Sequence, residues 1–552
     1  MSRLDHTETV PSAPEHTPSH RPTAVPLFEG SLSSVVTGAE WSAERLAGLH
    51  DQLAASDADA IPVESAVTGE TYAQLPAATE TDVDDAVDRA RTAAAEWRER
   101  PITDRVAVLD RVVDRVLAER KSTTSLVQRE TGKSRRDAVE EVFDVAVTAG
   151  YYADAAPAIL ADERRQGAIP GAVRADVHHD PVGVVGLIAP WNYPLTLVVS
   201  DALPALVAGN AVVCKPAEET THVAAYARKL LVEAGVPPDL FQLVSGRGPE
   251  VGPPLIERVD YVAFTGSTAA GREVAALAGE NLVPVSMELG GKNPLLVLDD
   301  ADPETAAAGA VRSCFANAGQ LCITTERLFV DEAVYEPFRD AFVDAVEDLQ
   351  LGFDYDWHAE MGPLLSEAQF EKTSEHVADA RERGATVLTG GEPRPDLGPY
   401  FYEPTVLADV PTDATAYGQE TFGPVVALYP VSDTDEAVAR ANDTDYGLHG
   451  AIWTGEEERG RAVARRVDTG TVSINEGYAV SWGSVDAPMG GRGDSGIGRR
   501  HGPEGLLRFT DAQAVATSGP VPLSPRGLPD RLWAAGLSTV ARLLRKVPRW
   551  IR

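Results

Sequence analysis

The sequence predicts an α/β protein with a doubly wound parallel sheet, followed by a second α/β unit after about residue 300. Between residues 182 and 299, short apolar segments rich in β-branched residues alternate with helical stretches, which is typical of buried parallel strands joined by helices. A chain of 552 residues exceeds what one hydrophobic core usually supports, so several domains are expected. No apolar run reaches the ~18 residues of a membrane-spanning helix.

The predicted strands of the first unit are VGVVGLIAP, NAVVCKP, LFQLVSG, YVAFTG and NPLLVLD, which begin at residues 182, 210, 240, 261 and 293. Before them, Ala, Val and Leu recur at helical spacing from about residue 80 to residue 121, and Pro101 divides this stretch into two amphipathic helices. After them, helices near 303–318 and 334–350 precede the apolar segments TVLTGG, PTVLADV and PVVALYPV. This second alternation predicts the second α/β unit.

The formal net charge of −35 is extreme, and only seven of the basic residues are lysines. Because such self-repulsion is screened at molar salt, where the Debye length is about 3 Å, the composition favours a halophilic, salt-rich cytoplasm over a basic partner. The acidity also argues against nucleic-acid binding.

Three cysteines without metal-like spacing argue against a disulfide framework and a zinc site, and the N-terminus lacks a secretory signal, so a cytoplasmic, metal-free protein is expected.

The two ends of the chain differ from the rest. Residues 1–60 are predicted to be a disordered or extended lead-in. Residues 519–552 are predicted to form a basic amphipathic helix, because one apolar stripe follows a 4-3-4-3-4 spacing: Trp533, Leu537, Val540, Leu544, Val547 and Ile551. Two interpretations stay open, namely docking on the acidic surface of the protein itself and peripheral contact with an anionic membrane.

Three residues in separate segments are candidates for chemistry. Cys322 lies in SCFANAGQLCITTERLFV, Glu288 follows a predicted strand and precedes two glycines, and Asn192 follows another strand in APWNYPL. An unperturbed thiol with a pKa of about 8.5 is roughly 3% thiolate at pH 7, so a nucleophilic cysteine needs an activator and a donor for the developing oxyanion. Taken alone, each residue has an ordinary structural interpretation: a buried thiol, a solvated turn carboxylate and a turn asparagine.

Three further segments offer groups suited to a nucleotide. KPAEET ends a strand with a lysine and an acidic residue that suit ribose hydroxyls, and FTGSTAAG passes from a strand into a helix whose backbone N–H groups can bind phosphate. QETFGPV adds a carboxylate and an aromatic ring in another loop. The residues concerned are Lys215, Glu218, Gly266, Gly271, Glu420 and Phe422.

Together these segments resemble the aldehyde dehydrogenase superfamily over about residues 60–518. Its motifs occur in family order as PWNYP, KPAE, FTGSTAAG, MELGGKNP, NAGQLC, ETFGPV, NDTDYGL and APMGGRGDSGIGRRHG, and 34 residues separate Glu288 from Cys322. The resemblance implies that Cys322 attacks an aldehyde, and that the Asn192 amide and the Cys322 N–H hold the oxyanion. It also implies that Glu288 activates the water that hydrolyses the thioester, which favours a free acid over transfer to coenzyme A.

The resemblance further implies a nicotinamide dinucleotide site. Its residues address the ribose hydroxyls, line the pyrophosphate turn or flank the nicotinamide: Pro190, Trp191, Lys215, Glu218, Gly266, Ser267, Gly271, Leu289, Glu420 and Phe422. Because a carboxylate at position 218 would repel a 2′-phosphate, NAD is expected to be preferred over NADP.

The family architecture implies a Rossmann-type dinucleotide-binding domain, a catalytic α/β domain and a small β arm for assembly into a homodimer or homotetramer. A structural role is expected for His178 and His179, which fall in the arm. The predicted ranges are 61–165 and 183–289 for the dinucleotide-binding domain, 290–502 for the catalytic domain, and 166–182 and 503–518 for the arm.

Within the superfamily, four segments are most similar to the actinobacterial-type succinate-semialdehyde dehydrogenases: NPLLVLDDAD, SEAQF, FYEPTVL and GRRHGPEGLLRFT. Better-known semialdehyde enzymes bind the second carboxylate of the substrate with two arginines and a serine, but the matching positions here are Ser200, Ala316 and Gly483. Either this branch binds the carboxylate in another way, or the substrate is a different, uncharged aldehyde. A catalytically silent nucleotide-binding scaffold is a remote third hypothesis.

A second departure from the family concerns a lysine and a glutamate that many members carry. The matching positions here are Asp201 and Arg500, so the polarity is reversed. We predict that these two side chains form an ion pair.

Overall fold

The computed structural model describes residues 40–56, 60–167, 169, 172–519, 523–525 and 527–545. Most of the predicted N-terminal lead-in and the last residues of the C-terminal segment therefore lie outside the described residues. The described residues 40–56 of the lead-in are neither disordered nor extended, because they contain the helix Ala43–Ala47 and bury Trp41 and Leu46. Within the described part, no helix is long and apolar enough to cross a membrane.

The first sheet has six strands and is doubly wound, as predicted. In spatial order its strands are Gly496–Ile497, Val285–Glu288, Tyr261–Thr265, Val184–Ile188, Ala211–Lys215 and Phe241–Leu243. All pairs are parallel except the first. The chain order reverses between the two central strands, and ligands of open α/β sheets bind at such a switch point.

Helices cover both faces of this sheet, so its strands are buried on both sides. The crossover helices are Pro194–Ala208, Thr221–Glu233, Gly248–Arg258 and Thr268–Glu280. Four more helices precede the sheet: Glu80–Trp97, Ile102–Ala118, Arg120–Thr131 and Arg135–Ile159. The first two are the predicted amphipathic pair, and Pro101 lies at the N-cap of the second.

The second sheet has seven strands and is parallel except at one edge. Its strands, in spatial order, are Thr386–Thr389, Thr405–Ala408, Val425–Val431, Thr325–Asp331, Asn293–Val297, His449–Trp453 and Thr471–Ile474. Its longer helices are Pro303–Phe315, Tyr335–Glu347, Glu367–Glu382, Thr434–Ala441 and Glu457–Ala464. This is the second α/β unit that the sequence predicts, but the assignment of NPLLVLD to the first unit was wrong, because the strand Asn293–Val297 pairs with Thr325–Asp331 and His449–Trp453 in the second sheet.

The remaining elements are small. Two-stranded sheets pair Ala60–Glu64 with Thr71–Pro76 and Tyr446–Gly447 with Arg492–Gly493. The short helices are Ala43–Ala47, Thr415–Gly418, Ala479–Gly483 and Gly502–Leu507. The first sheet also recruits the strand Gly496–Ile497 from the range predicted for the catalytic domain, so that the edge beside Glu288 is covered.

A third sheet forms the arm from Glu163–Gln166, Val173–Pro181 and Thr510–Ser518. It begins slightly before the predicted arm boundary, because residues 163–166 pair with residues 174–177. His178 Nδ1 lies 2.8 Å from Asp162 Oδ1, and His179 Nε2 lies 3.3 Å from Glu163 Oε1. Both contacts are local to the arm.

The predicted C-terminal helix spans Asp530–Leu544. Trp533 Nε1 donates to the Leu523 carbonyl over 2.8 Å, but none of the helical residues is buried. Leu532 and Leu543 are 64% and 58% exposed.

Candidate active site

A cavity of about 190 Å³ brings most of the predicted site residues together. Ten of the thirteen line it: Pro190, Trp191, Asn192, Gly266, Ser267, Glu288, Leu289, Cys322, Glu420 and Phe422. Lys215, Glu218 and Gly271 lie outside its lining. Gln369 and Lys372 also line the cavity, although sequence reasoning missed them. Gln369 Nε2 donates to the Phe422 carbonyl over 2.6 Å and thereby fixes that loop.

Cys322 follows a turn in which two non-glycine residues adopt the left-handed conformation, Asn317 with φ 51° and Ala318 with φ 55°. The backbone N–H of Asn317 donates to Asp137 over 3.1 Å, and its side-chain amide donates to the Asn192 carbonyl over 3.1 Å. Such strained conformations persist only where surrounding contacts enforce them, and they are frequent at functional sites. The turn therefore holds the loop of Cys322 against the loop of Asn192.

Cys322 is the one partly exposed cysteine of the three. Burial raises the pKa of its thiol to about 12, and the charges of Glu420 and Glu288 act in the same direction. Arg500 opposes them and lowers the pKa. The thiol is therefore protonated at neutral pH in the free protein, so that attack requires removal of its proton during the reaction.

Asn192 is positioned by a buried lysine that sequence reasoning missed. Lys133 Nζ donates to the Asn192 carbonyl over 2.6 Å and to Glu141 over 2.8 Å, and both charged side chains are inaccessible to solvent. Asn192 Nδ2 in turn donates to the Gln320 carbonyl over 3.1 Å. This bond uses one of the two N–H donors of the amide and directs the amide toward the loop of Cys322.

Glu288 ends its strand with a buried carboxylate. Within the described part of the chain, its Oε1 atom has no hydrogen-bond partner. Burial raises the pKa of the carboxyl to about 7, against the opposing charges of Arg500 and Arg508. A carboxyl with a pKa near neutrality can accept a proton at physiological pH.

The predicted ion pair between Asp201 and Arg500 is confirmed. Arg500 Nη2 lies 3.1 Å from Asp201 Oδ1, and the two side chains are 4% and 5% exposed. Arg508, which was not predicted, lies 3.0 Å from the same oxygen and donates to Ser286 over 3.2 Å. The segment GRRHGPEGLLRFT carries both arginines, but its sequence gives no local sign that Arg508 also contacts Asp201.

The residues predicted to hold a dinucleotide fit that group. Lys215 Nζ lies 2.8 Å from Glu218 Oε2 at the end of a central strand, where both can address hydroxyls. Ser267 caps the helix Thr268–Glu280 and accepts from the Ala270 N–H over 3.3 Å. A Cβ at Gly271 would clash with Leu289, so this glycine permits the close packing of the turn.

The loop of Glu420 also lines the cavity, beside the residues predicted to hold the dinucleotide. Glu420 Oε1 accepts from the Gly291 N–H over 2.8 Å, and a Cβ at Gly290 would clash with the same carboxylate. Burial, together with the charge of Glu326, raises the pKa of Glu420 to about 7. The rings of Trp191 and Phe422 meet edge to face with centroids 5.6 Å apart.

Comparison with known proteins identifies the family. The model of the aldehyde dehydrogenase family matches residues 53–515. The chain belongs to the aldehyde dehydrogenase family. It is an NAD(P)-dependent oxidoreductase that oxidises aldehydes, and the predicted fold class is confirmed.

Similar proteins support the same assignment. A protein of Mycobacterium tuberculosis named as a putative succinate-semialdehyde dehydrogenase of the NADP(+) type is 46% identical over 92% of this chain and 99% of its own. An Escherichia coli structure described as an NADP-dependent enzyme is 32% identical, with a TM-score of 0.81 over 84% of this chain and 96% of that one. Betaine aldehyde dehydrogenase of Staphylococcus aureus in complex with NAD+ is 30% identical, with a TM-score of 0.80 over 87% and 98%.

The enzyme has a second cavity of about 230 Å³ beside the loop of Cys322, since Leu321 and Ile323 both line it. The rest of its lining is mainly apolar and aromatic, with two carboxylates: Glu140, Phe143, Asp144, Val147, Tyr193, Thr196, Tyr478, Ala479, Trp482, Gly483 and Val485. Among the described residues, no Arg, Lys or His lines this cavity. Ser200 donates to Asp144 over 2.6 Å, and Ala316 is buried.

Proposed function

We propose that the enzyme oxidises succinate semialdehyde to succinate with NAD, through a thiohemiacetal and a thioester on Cys322. The observation that carries the chemistry is that Cys322, Glu288 and Asn192 line one cavity together with residues suited to a dinucleotide. The substrate is supported by the mycobacterial relative, which shares 46% identity over nearly its whole length.

In the proposed first half-reaction, the Sγ atom of Cys322 bonds to the aldehyde carbon while the thiol proton passes to water, and the electron pair of the C=O π bond moves onto the oxygen. The free N–H of the Asn192 amide and the backbone N–H of Cys322 stabilise the oxyanion, and one such donor is typically worth about 3–4 kcal/mol. When bound, the nicotinamide supplies the acceptor for the hydride that leaves this carbon. Pro190 and Leu289 line the cavity beside these groups.

In the second half-reaction, Glu288 accepts a proton from water as the water attacks the thioester, and Cys322 leaves. The carboxylate can do this because its pKa is raised by burial to about 7, while Arg500 keeps that pKa from rising further. Glu288→Gln is expected to slow thioester hydrolysis more than thioester formation. A burst of NADH followed by slow turnover in this variant supports the assignment, and unchanged steady-state turnover contradicts it.

NAD is proposed as the preferred dinucleotide. Glu218 is held by Lys215 at the end of the strand Ala211–Lys215, where a carboxylate would repel a 2′-phosphate. The relatives differ in this respect, since the mycobacterial protein is named for NADP(+) and the staphylococcal structure contains NAD+. The test is the ratio of kcat/KM with NAD to that with NADP, which should fall in Glu218→Ser. A preference for NADP in the wild type, or a ratio that survives the substitution, would refute the proposal.

Oxidation of an uncharged aldehyde is the second candidate, because no cationic side chain among the described residues lines the second cavity. Initial rates of NADH formation in molar KCl, with succinate semialdehyde and butanal at matched concentrations, distinguish the two. Cys322→Ala is the control and should be inactive with both. Failure of the wild type with all aldehydes, despite bound dinucleotide, would favour a scaffold.

Assembly into a cytoplasmic homodimer or homotetramer is proposed through the arm, whose strand Thr510–Ser518 is exposed along nearly its whole length. Light scattering, which measures the mass of the assembly, tests this proposal, and a monomer would contradict it.

The basic C-terminal helix is proposed as a secondary site of peripheral membrane contact, since Leu532 and Leu543 face solvent. Co-sedimentation with anionic vesicles should be lost without residues 526–552, and its absence in the full chain would reject membrane contact.

A further inference from the structure

Succinate semialdehyde, on which this inference rests, carries a carboxylate at the end opposite the aldehyde. A carboxylate that leaves water needs a cationic or hydrogen-bonding partner. The second cavity offers no cationic side chain in its described lining, and the positions used by better-known semialdehyde enzymes hold Ser200 and Ala316. Tyr478 in the lining can donate a hydrogen bond, but a cationic partner for the substrate has to come from behind the lining.

Behind this lining, Arg500 stacks on Trp482 and Lys133 lies over Tyr193, and both cations are paired with buried carboxylates. A third cation, Arg312, contacts a carboxylate that itself lines the cavity. Its Nη1 lies 2.7 Å from Asp137 Oδ1 and its Nη2 lies 2.5 Å from Glu140 Oε1. The Tyr478 hydroxyl donates to the other oxygen of Glu140 over 3.0 Å. Glu140 and Tyr478 both line the second cavity. A guanidinium and a phenol thus hold one carboxylate, with one donor on each oxygen, at the edge of the space next to Cys322.

Arg312 lies close in the chain to Ala316, whose N–H bonds to the Arg312 carbonyl at the end of the helix. The helix Pro303–Phe315 ends just before Ala316, and a spacing of four residues places Arg312 and Ala316 on the same helical face. Arg312 therefore stands one turn before the residue that would carry an arginine in the better-known enzymes.

We propose that Arg312 and Tyr478 form the receptor for the distal carboxylate of the substrate, and that Glu140 occupies this receptor until the substrate replaces it. The exchange substitutes one carboxylate for another, so the local charge is unchanged. Glu140 can leave because its side chain is already 37% exposed, and it reaches water by a rotation of its side chain. Asp137 is fully buried and stays with Arg312, so the guanidinium remains anchored during the exchange.

The test compares succinate semialdehyde with butanal, which has the same chain length but no carboxylate. In Arg312→Met, the ratio of kcat/KM for succinate semialdehyde to that for butanal should fall roughly 10- to 100-fold, mainly through KM, because a hydrogen-bonded charge pair is lost. Arg312→Lys should restore part of this ratio. Tyr478→Phe should lower the ratio by a smaller factor. Arg461→Met, which removes an exposed arginine from another helix, is the matched control and should leave the ratio unchanged.

Glu140→Gln provides a second variant, which leaves the contact between Arg312 and Asp137 in place. It should lower KM for succinate semialdehyde, since a neutral amide competes less well for Arg312 than a carboxylate does. Thermal stabilisation of the NAD-bound enzyme by succinate, relative to butyrate, should be lost in Arg312→Met and retained in Glu140→Gln.

The outcomes separate this inference from the proposed substrate. Wild-type enzyme that oxidises butanal but not succinate semialdehyde would overturn the proposed substrate, and the receptor with it. Wild-type enzyme that oxidises succinate semialdehyde, together with an Arg312→Met variant whose substrate ratio is unchanged, would overturn the receptor alone.

Discussion

Replacing Asp201 by Asn should destabilise the fold far more than an equivalent change on the surface. Asp201 Oδ1 lies 3.1 Å from Arg500 and 3.0 Å from Arg508, and Asp201 and Arg500 are at most 5% exposed. At an effective dielectric constant of about 20, each pair attracts by about 5 kcal/mol before desolvation is counted. Because both guanidinium groups would stay buried without their carboxylate, the net loss of unfolding free energy should be about 3–5 kcal/mol.

Asp494→Asn is the matched control for this experiment. Asp494 lies 2.6 Å from Arg272, but the side chains are 35% and 67% exposed, so water screens the pair and the loss should stay below about 1 kcal/mol. Urea-unfolding midpoints of both variants, at equal protein concentration and in molar KCl, compare the same chemical change in two environments. Losses that agree within about 0.5 kcal/mol would refute the reasoning that burial sets the strength of the Asp201 pairs.

Three other outcomes are expected. Since the proposed base Glu288 can accept a proton only when ionised and its raised pKa is about 7, kcat should fall as pH decreases through 7, and a profile flat from pH 8 to 5 would contradict the proposed role. Gly290→Ala should raise KM for NAD about tenfold, because its Cβ would clash with the carboxylate of Glu420. Gly279→Ala, whose Cβ would meet nothing within 4 Å, should have no effect on that KM. Finally, the thermal midpoint should rise from low to molar KCl as the charge of −35 is screened, whereas a fall would reject the halophilic interpretation.

The sheets were predictable because their strands carry a compositional signal that needs no knowledge of partners. The strands Val184–Ile188 and Ala211–Lys215 are buried on both faces, and burial on both faces requires nearly continuous apolar residues. The Asp201–Arg500 pair was predictable for a different reason, since the family motifs provide matching positions 299 residues apart. The sequence of this chain alone offers no local sign of such a contact.

The supporting residues were not predictable, because their roles depend on contacts between distant segments. Lys133 follows a helix in the first half of the chain, and only the fold brings its ammonium group to the Asn192 carbonyl. Lys372 and Gln369 reach the cavity from the helix Glu367–Glu382, whose sequence is that of an ordinary surface helix. Arg312 was overlooked for the same reason, since its contacts with Asp137 and Glu140 join helices 172 to 175 residues apart.

The electrostatics of the site show why the buried ion pair also matters for the chemistry. Burial disfavours the charged forms of both Cys322 and Glu288, and each would raise the pKa of the other when ionised. Arg500 lowers the pKa of both groups, so it stabilises whichever of them carries the negative charge at a given step. Asp201 holds Arg500 in that position while raising the pKa of Glu288 by its own charge. The reversed polarity at positions 201 and 500 therefore places the cation on the loop beside the reacting groups and leaves the anion on the helix Pro194–Ala208 behind it.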